Sequence, residues 1–256
     1  MRLAYTGGII LGVFTVCGSA DDAWETIRVH DQFHAEGASA GDLNGDDNLD
    51  VVAGPLCFLG PDFKKSIAIA EPKTFPIAGY SDQFFSHVLD ANGDGASDVL
   101  VIGFPGQAAR MYINPGHDSL NAAKKVADWT MHNVADIVDN ESPRIVDLIP
   151  GGLPEIVCGR GGQYGYYQAG DDATSPWQWT AISRPGTCGG RFAHGLGVGD
   201  VNGDGRPDVL DRSEWWEHPA ESSSDSLWKQ HRWADAPIGG GGAQMHTYDF
   251  DGDGDI

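Results

Sequence analysis

Five short acidic loops recur along this chain, and their spacing limits what it can fold into. They begin at Asp42, Asp90, Asp147, Asp200 and Asp249, at intervals of 48, 57, 53 and 49 residues. A repeat of that length is one supersecondary unit, stacked on the next to bury its apolar face. No long run between the loops carries a helical apolar period. Short apolar stretches such as Asp98-Val-Leu-Val-Ile-Gly103 and Asp50-Val-Val-Ala-Gly54 alternate with turn residues, and 36 glycines suit many tight turns. This pattern predicts an all-β chain.

The loops share an oxygen-rich signature. Asp200-Val-Asn-Gly-Asp-Gly-Arg-Pro-Asp208 offers side-chain oxygen at positions 1, 3, 5 and 9, through Asp200, Asn202, Asp204 and Asp208. The same positions hold Asp42, Asn44, Asp46 and Asp50 in the first loop, and Asp90, Asn92, Asp94 and Asp98 in the second. The last loop supplies Asp249, Asp251 and Asp253 before the sequence stops at Ile256. Hard oxygen ligands on a tight glycine turn suit Ca²⁺, and the backbone carbonyl of Arg206 is a natural further ligand. The bland alternative is a polar Asn-Gly or Asp-Gly turn without metal. The third loop, Asp147 to Glu155, has Ile149 and Gly151 at positions 3 and 5, so we expect it to be empty. An EF-hand needs an acid at position 12 and flanking helices. Position 12 is Ala53 in the first loop and Val101 in the second, which disfavours that reading.

Charge points the same way. The net charge is −21, and 14 of the 37 acids lie in four of these loops. Nucleic-acid binders are basic, so that partner is disfavoured. Several like charges within a few ångströms repel one another, and a bound cation would relieve that repulsion and stabilise the fold by mass action.

Two further signatures run out of phase with the loops. Aromatic stretches ending in a Pro or Gly turn occur at Met111-Tyr-Ile-Asn-Pro-Gly116, Tyr166-Tyr-Gln-Ala-Gly170 and Trp215-Trp-Glu-His-Pro219. Trp129, Trp179 and Trp228 each open a stretch that follows one of these. One unit therefore reads as first strand, acidic loop, apolar strand, aromatic strand and Trp-led strand. The copy between residues 50 and 90 lacks its tryptophan, so its fourth strand is the weakest expectation. Trp215, Trp216 and Tyr166 could stack on sugar rings, but their recurrence favours packing between repeats.

The loop followed by an apolar β-branched run resembles the calcium loop of the FG-GAP/VCBS repeat family. The resemblance covers nearly the whole chain after its first 20 residues. It implies a β-propeller of four-stranded blades, with each loop between the first two strands of a blade and positions 1, 3, 5 and 9 as Ca²⁺ ligands. Four nearly whole repeats plus a truncated fifth make an incomplete ring, so we expect a fragment of a longer protein. Seven blades would need about 100 more residues at this period.

Residues 1–20 read as a secretory signal, with Arg2, an apolar core at 8–16 and small residues Gly18-Ser-Ala20 before cleavage. The mature chain keeps Cys57, Cys158 and Cys188; the last two are the closer pair and could be bridged. These features predict a protein secreted, periplasmic or on the cell surface. The leading functional reading is a calcium-binding interaction scaffold for an extracellular protein or polysaccharide. The alternative is a carbohydrate-active lyase or dehydratase. His34, Glu36, His87, Arg144, His194 and His246 all lie three to eight positions before a loop, on the predicted first strands. His87, His194 and His246 could there hold a transition metal or act as acid and base. No phosphate-binding loop, dinucleotide fingerprint or nucleophile elbow occurs.

Overall fold

The computed structural model describes residues 26–221, 227–233 and 243–252. The stretch read as a signal, residues 1–20, and the candidate ligand Asp253 lie outside them. Two compact units divide the chain, Met1–Asp31 and Gln32–Ile256. Among the described residues of the first, Arg28 pairs with Asp31 at 3.0 Å. All described strands belong to the second.

The fold is all-β, and the described residues form four antiparallel four-stranded sheets, each made of four consecutive strands. The first sheet holds β1 (Ala38–Gly41), β2 (Asp50–Ala53), β3 (Leu56–Leu59) and β4 (Lys65–Ala68). The second holds β5 (Gln83–Leu89), β6 (Asp98–Gly103), β7 (Gln107–Ile113) and β8 (Thr130–Val138). The third holds β9 (Arg144–Val146), β10 (Glu155–Arg160), β11 (Gln163–Gln168) and β12 (Gln178–Ala181). The fourth holds β13 (Gly197–Gly199), β14 (Asp208–Leu210), β15 (Glu214–Glu217) and β16 (Lys229–Arg232). The weakest sequence expectation, the fourth strand of the first repeat, is present as β4. A six-residue helix, α1 (His117–Ala122), interrupts the β7–β8 connection and had no clear sequence signal.

Each of the first four acidic loops joins the first strand of a sheet to its second. The acid at position 9 opens the second strand and lies opposite the residue just before the loop. The pairs are Gly41 with Asp50, Leu89 with Asp98, Val146 with Glu155 and Gly199 with Asp208. Strands rather than helices flank every loop described on both sides, which removes the EF-hand reading.

Period-2 alternation explains how sheets with no polar face stack. Along β6, Val99 and Val101 join a core shared with Val52, Cys57 and Ile67 of the first sheet. Their neighbours Leu100 and Ile102 point the other way, into a core shared with Ile156, Cys158 and Tyr167 of the third. Val157 of β10 then joins Val209 and Trp216 of the fourth. A strand buried on both faces must be apolar at every position, as Asp98-Val-Leu-Val-Ile-Gly103 nearly is. Each such Val, Leu or Ile contributes about 1.5–3 kcal/mol on burial.

First strands of successive repeats also come close. A Cβ on Gly41 would lie 2.5 Å from Val88 Cγ1 of β5, and one on Gly197 would lie 2.6 Å from the Met245 carbonyl oxygen. Backbone N–H groups of Glu36, Glu141 and Gly195 donate to the carbonyls of Gln83, Ala193 and Ala243, respectively, one repeat further on. The bridge between Asn140 and Ala193 is parallel.

Candidate functional site

The three full loops fold alike because their side chains bond their own backbone. At position 1, Asp42 accepts from the N–H of Gly45 at 2.7 Å and of Asp47 at 2.9 Å. Asp90 accepts from Gly93 and Gly95 at 2.8 and 3.0 Å, and Asp200 from Asp204 and Gly205 at 3.0 and 2.7 Å. Position 6 requires left-handed backbone. Gly95 and Gly205 supply it at φ 86° and 84°, and Asp47 adopts it at φ 65°, which aspartate tolerates better than most residues.

Positions 3 and 5 face each other. The amide groups of Asn44, Asn92 and Asn202 donate to the carboxylates of Asp46, Asp94 and Asp204 at 3.1, 2.9 and 3.0 Å. Their carbonyl oxygens accept from the N–H of the same residues at 3.2, 3.0 and 3.1 Å. Backbone N–H donation from Asn48 and Ala96, followed by the Asn side chains, holds the Asp46 and Asp94 carboxyls below the usual range. In the fourth loop the Arg206 guanidinium also pairs with Asp204. Asp249 begins the last loop in the same way, accepting from the N–H of Gly252 at 2.5 Å, and Asp251 is exposed.

Position 9 does a different job. Asp50, Asp98 and Asp208 are fully buried. In each, one oxygen accepts from the N–H at position 2: Leu43, Ala91 and Val201, all at 2.9 Å. The other accepts from the N–H just past the third strand: Gly60, Asn114 and His218, all at 2.8 Å. The third loop, without oxygens at positions 3 and 5, keeps this arrangement. There Glu155 accepts from Leu148 and Ile149 at 2.9 and 3.0 Å, and from the Gln168 amide at 3.1 Å. The acid at position 9 therefore ties loop to sheet whether or not the other oxygens are present.

Among the described residues, no three His, Cys, Asp or Glu side chains converge as a group able to hold a metal ion. The donor set of each full loop is nevertheless all hard oxygen, and a carboxylate oxygen that accepts one N–H keeps a second lone pair. Electrostatics favour a cation. Burial raises the pKa of Asp50, Asp98 and Asp208, backbone N–H donation opposes it, and the charges at positions 5 and 1 raise it further. The residues thus fit a hard divalent cation, which on binding would supply the missing positive charge.

Among the described residues, the histidines before the loops form no group of three possible metal ligands. His87 lies on β5, where burial and then the nearby Arg144 charge push its pKa down to about 4, so it is neutral at pH 7. Its Nε2 is buried without a hydrogen-bond partner in the structure. His194 is half exposed and lies 2.9 Å from Glu141 Oε2. His246 is exposed. His34 Nδ1 lies 2.7 Å from the Lys73 carbonyl oxygen, and Glu36 accepts from the Ser81 N–H at 2.9 Å.

The remaining candidates are structural. Trp216 packs on Tyr164, with ring centroids 5.1 Å apart, and Tyr166 packs near Trp228. Trp215 stacks on His231 at 4.1 Å. Cys57, Cys158 and Cys188 are all buried free thiols, which corrects the suggested bridge. Burial pushes Cys57 up to about 12.

Sequence reading missed Asn114. Its amide donates to the Leu43 carbonyl of the first loop at 2.9 Å and to the Ser97 carbonyl of the second at 2.8 Å. In α1, Asn121 adds a bond to the Asn44 carbonyl at 2.9 Å. The only signal was the Asn-Pro-Gly turn at 114–116. Replacing Asn114 with Ala leaves two carbonyls short of a donor in a 4 % exposed position. We expect Asn114→Ala to cost about 1–3 kcal/mol in urea unfolding, and a loss within error of zero would show the bridge to be idle.

Neither the family models nor the curated proteins compared with the chain give a match.

Proposed function

We propose that this chain is a calcium-stabilised β-propeller of the FG-GAP/VCBS kind, acting outside the cell as an interaction scaffold for a protein or polysaccharide. One observation carries the reading. The same oxygen-bearing loop, with the same bonds from position 6 to position 1 and from position 3 to position 5, recurs between the first and second strands of three four-stranded sheets. Close approach of successive repeats at Gly41 and Gly197, with the parallel bridge between Asn140 and Ala193, supports a ring-like stacking of blades. The chemistry of positions 1, 3 and 5 supports calcium, with position 9 completing the ligand set while it holds the loop.

The scaffold reading is preferred to a lyase or dehydratase because, among the described residues, the histidines that chemistry needs belong to no group of three ligating side chains and lie in unlike surroundings. His87 is buried and neutral, His194 is paired with Glu141, and His246 is exposed. Elemental mass spectrometry of the purified protein tests the choice. The expected result is one calcium for each of the three full loops and no stoichiometric transition metal. A stoichiometric transition metal would favour the enzyme, and protein that takes up no calcium would overturn the scaffold reading.

A further inference from the structure

In an antiparallel four-stranded sheet the connections alternate between two ends. The acidic loops occupy one end. The turns between second and third strands lie at the other, with the connections from each fourth strand to the next sheet. That other end carries a cleft of about 870 Å³ between the third and fourth sheets, inside the range of roughly 300–1,000 Å³ typical of small-molecule sites. It is lined by Tyr164, Phe192, Asp211, Arg212, Glu214 and Arg232.

Two features make the cleft more than a gap. Its carboxylates are held in place. Asp211, 8 % exposed, accepts from the N–H of Ser213 and Glu214 at 2.7 and 2.9 Å, and its carbonyl accepts from the Trp233 indole at 2.9 Å. Arg232 Nε lies 3.1 Å from Glu214 Oε1. Fixed groups lose little freedom on binding. The second feature is a strip of rings that reaches the cleft across the same end. Phe192, 53 % exposed, meets Phe104 at 5.7 Å between centroids. Phe104 meets Phe84 at 5.1 Å and Tyr80 at 5.9 Å, and Tyr80 is 70 % exposed. Nothing in the packing of the sheets requires Tyr80 or Phe192 to face solvent.

We infer that this end binds a neutral polysaccharide, with the cleft hydrogen-bonding one part of the chain and the aromatic strip supporting its continuation. A pyranose has an apolar C–H face that suits an aromatic ring. Its rim of hydroxyls both donates and accepts, matching carboxylates beside guanidinium groups. A polyanionic glycan would meet a chain of net charge −21 and the carboxylates of Asp211 and Glu214. The inference rests on the scaffold reading and names its partner.

Affinity electrophoresis of the intact calcium-treated protein tests it, in native gels containing galactomannan, xylan or soluble mixed-linkage β-glucan, with polygalacturonate as the anionic comparison. At least one neutral polymer is expected to retard the protein. Phe192→Ala and Arg212→Ala, both at exposed positions, are each expected to weaken that retardation about tenfold, with an unchanged melting temperature. Retardation by polygalacturonate alone, by no neutral polymer, or undiminished in both variants would overturn the proposal. The calcium content of the same preparation separates the two ideas. Full calcium without retardation rejects the glycan site alone, whereas missing calcium rejects the scaffold reading.

Discussion

Calcium added to chelator-treated protein is expected to raise the midpoint of thermal unfolding by roughly 15 °C or more. Each site held at a hundredfold excess over its dissociation constant adds about 2.7 kcal/mol, and three full loops act together. For a chain of this size each kcal/mol moves the midpoint by about 2–4 °C. The physical source is the repulsion among acids at positions 1, 5 and 9, which the protein alone offsets with backbone N–H groups, the position-3 asparagine amides and, in the fourth loop, Arg206. Asp204→Ala assigns the effect to a loop. It removes an oxygen at position 5 and an exposed pairing with Arg206, the latter worth only about 0–1 kcal/mol. The loss should therefore be several degrees larger in calcium than in chelator. Equal losses in both would mean that Asp204 binds no cation.

Asp98→Ala should behave differently. Asp98 is completely buried and accepts from Ala91 and Asn114 at 2.9 and 2.8 Å. Truncation leaves two buried N–H groups without a partner, each costing about 1–3 kcal/mol, so a loss of about 3–5 kcal/mol is expected. Because those bonds exist without metal, the loss should persist in chelator. Asp98→Asn keeps one acceptor and should fall between. Denaturant melts in calcium and in chelator decide the matter. A loss confined to calcium would make Asp98 a ligand and nothing more, and a loss below about 1 kcal/mol would show that the N–H groups find other partners.

Local pattern carried much of this architecture into view. The loop glycines, the apolar run after Asp98 and the Trp-led fourth strands each encode a short element, and four of them in order make a sheet. What stayed hidden depends on register. The N–H that reaches the second oxygen of Asp98 belongs to Asn114, sixteen residues on, and only the pairing of β6 with β7 brings them together. The sequence therefore presented position 9 as a ligand but not as the tie between loop and sheet. The expected placement of the histidines on first strands missed for a related reason. Their offsets from the loops differ, so His87 falls within β5 while His194 and His246 fall before or outside any strand. Cys158 and Cys188 are near in sequence, yet Cys158 packs toward the second sheet and Cys188 joins the core shared with the fourth.

The sharing of every apolar core between two consecutive sheets has a consequence for how the molecule comes apart. No sheet owns a core, so a single repeat cut free by protease would expose a full face of valine, leucine and isoleucine. Stability then resembles a row of dominoes held by nearest neighbours. Loss of one sheet weakens the two beside it, and amide protection should be deepest in β6 and β10, each clamped from both sides.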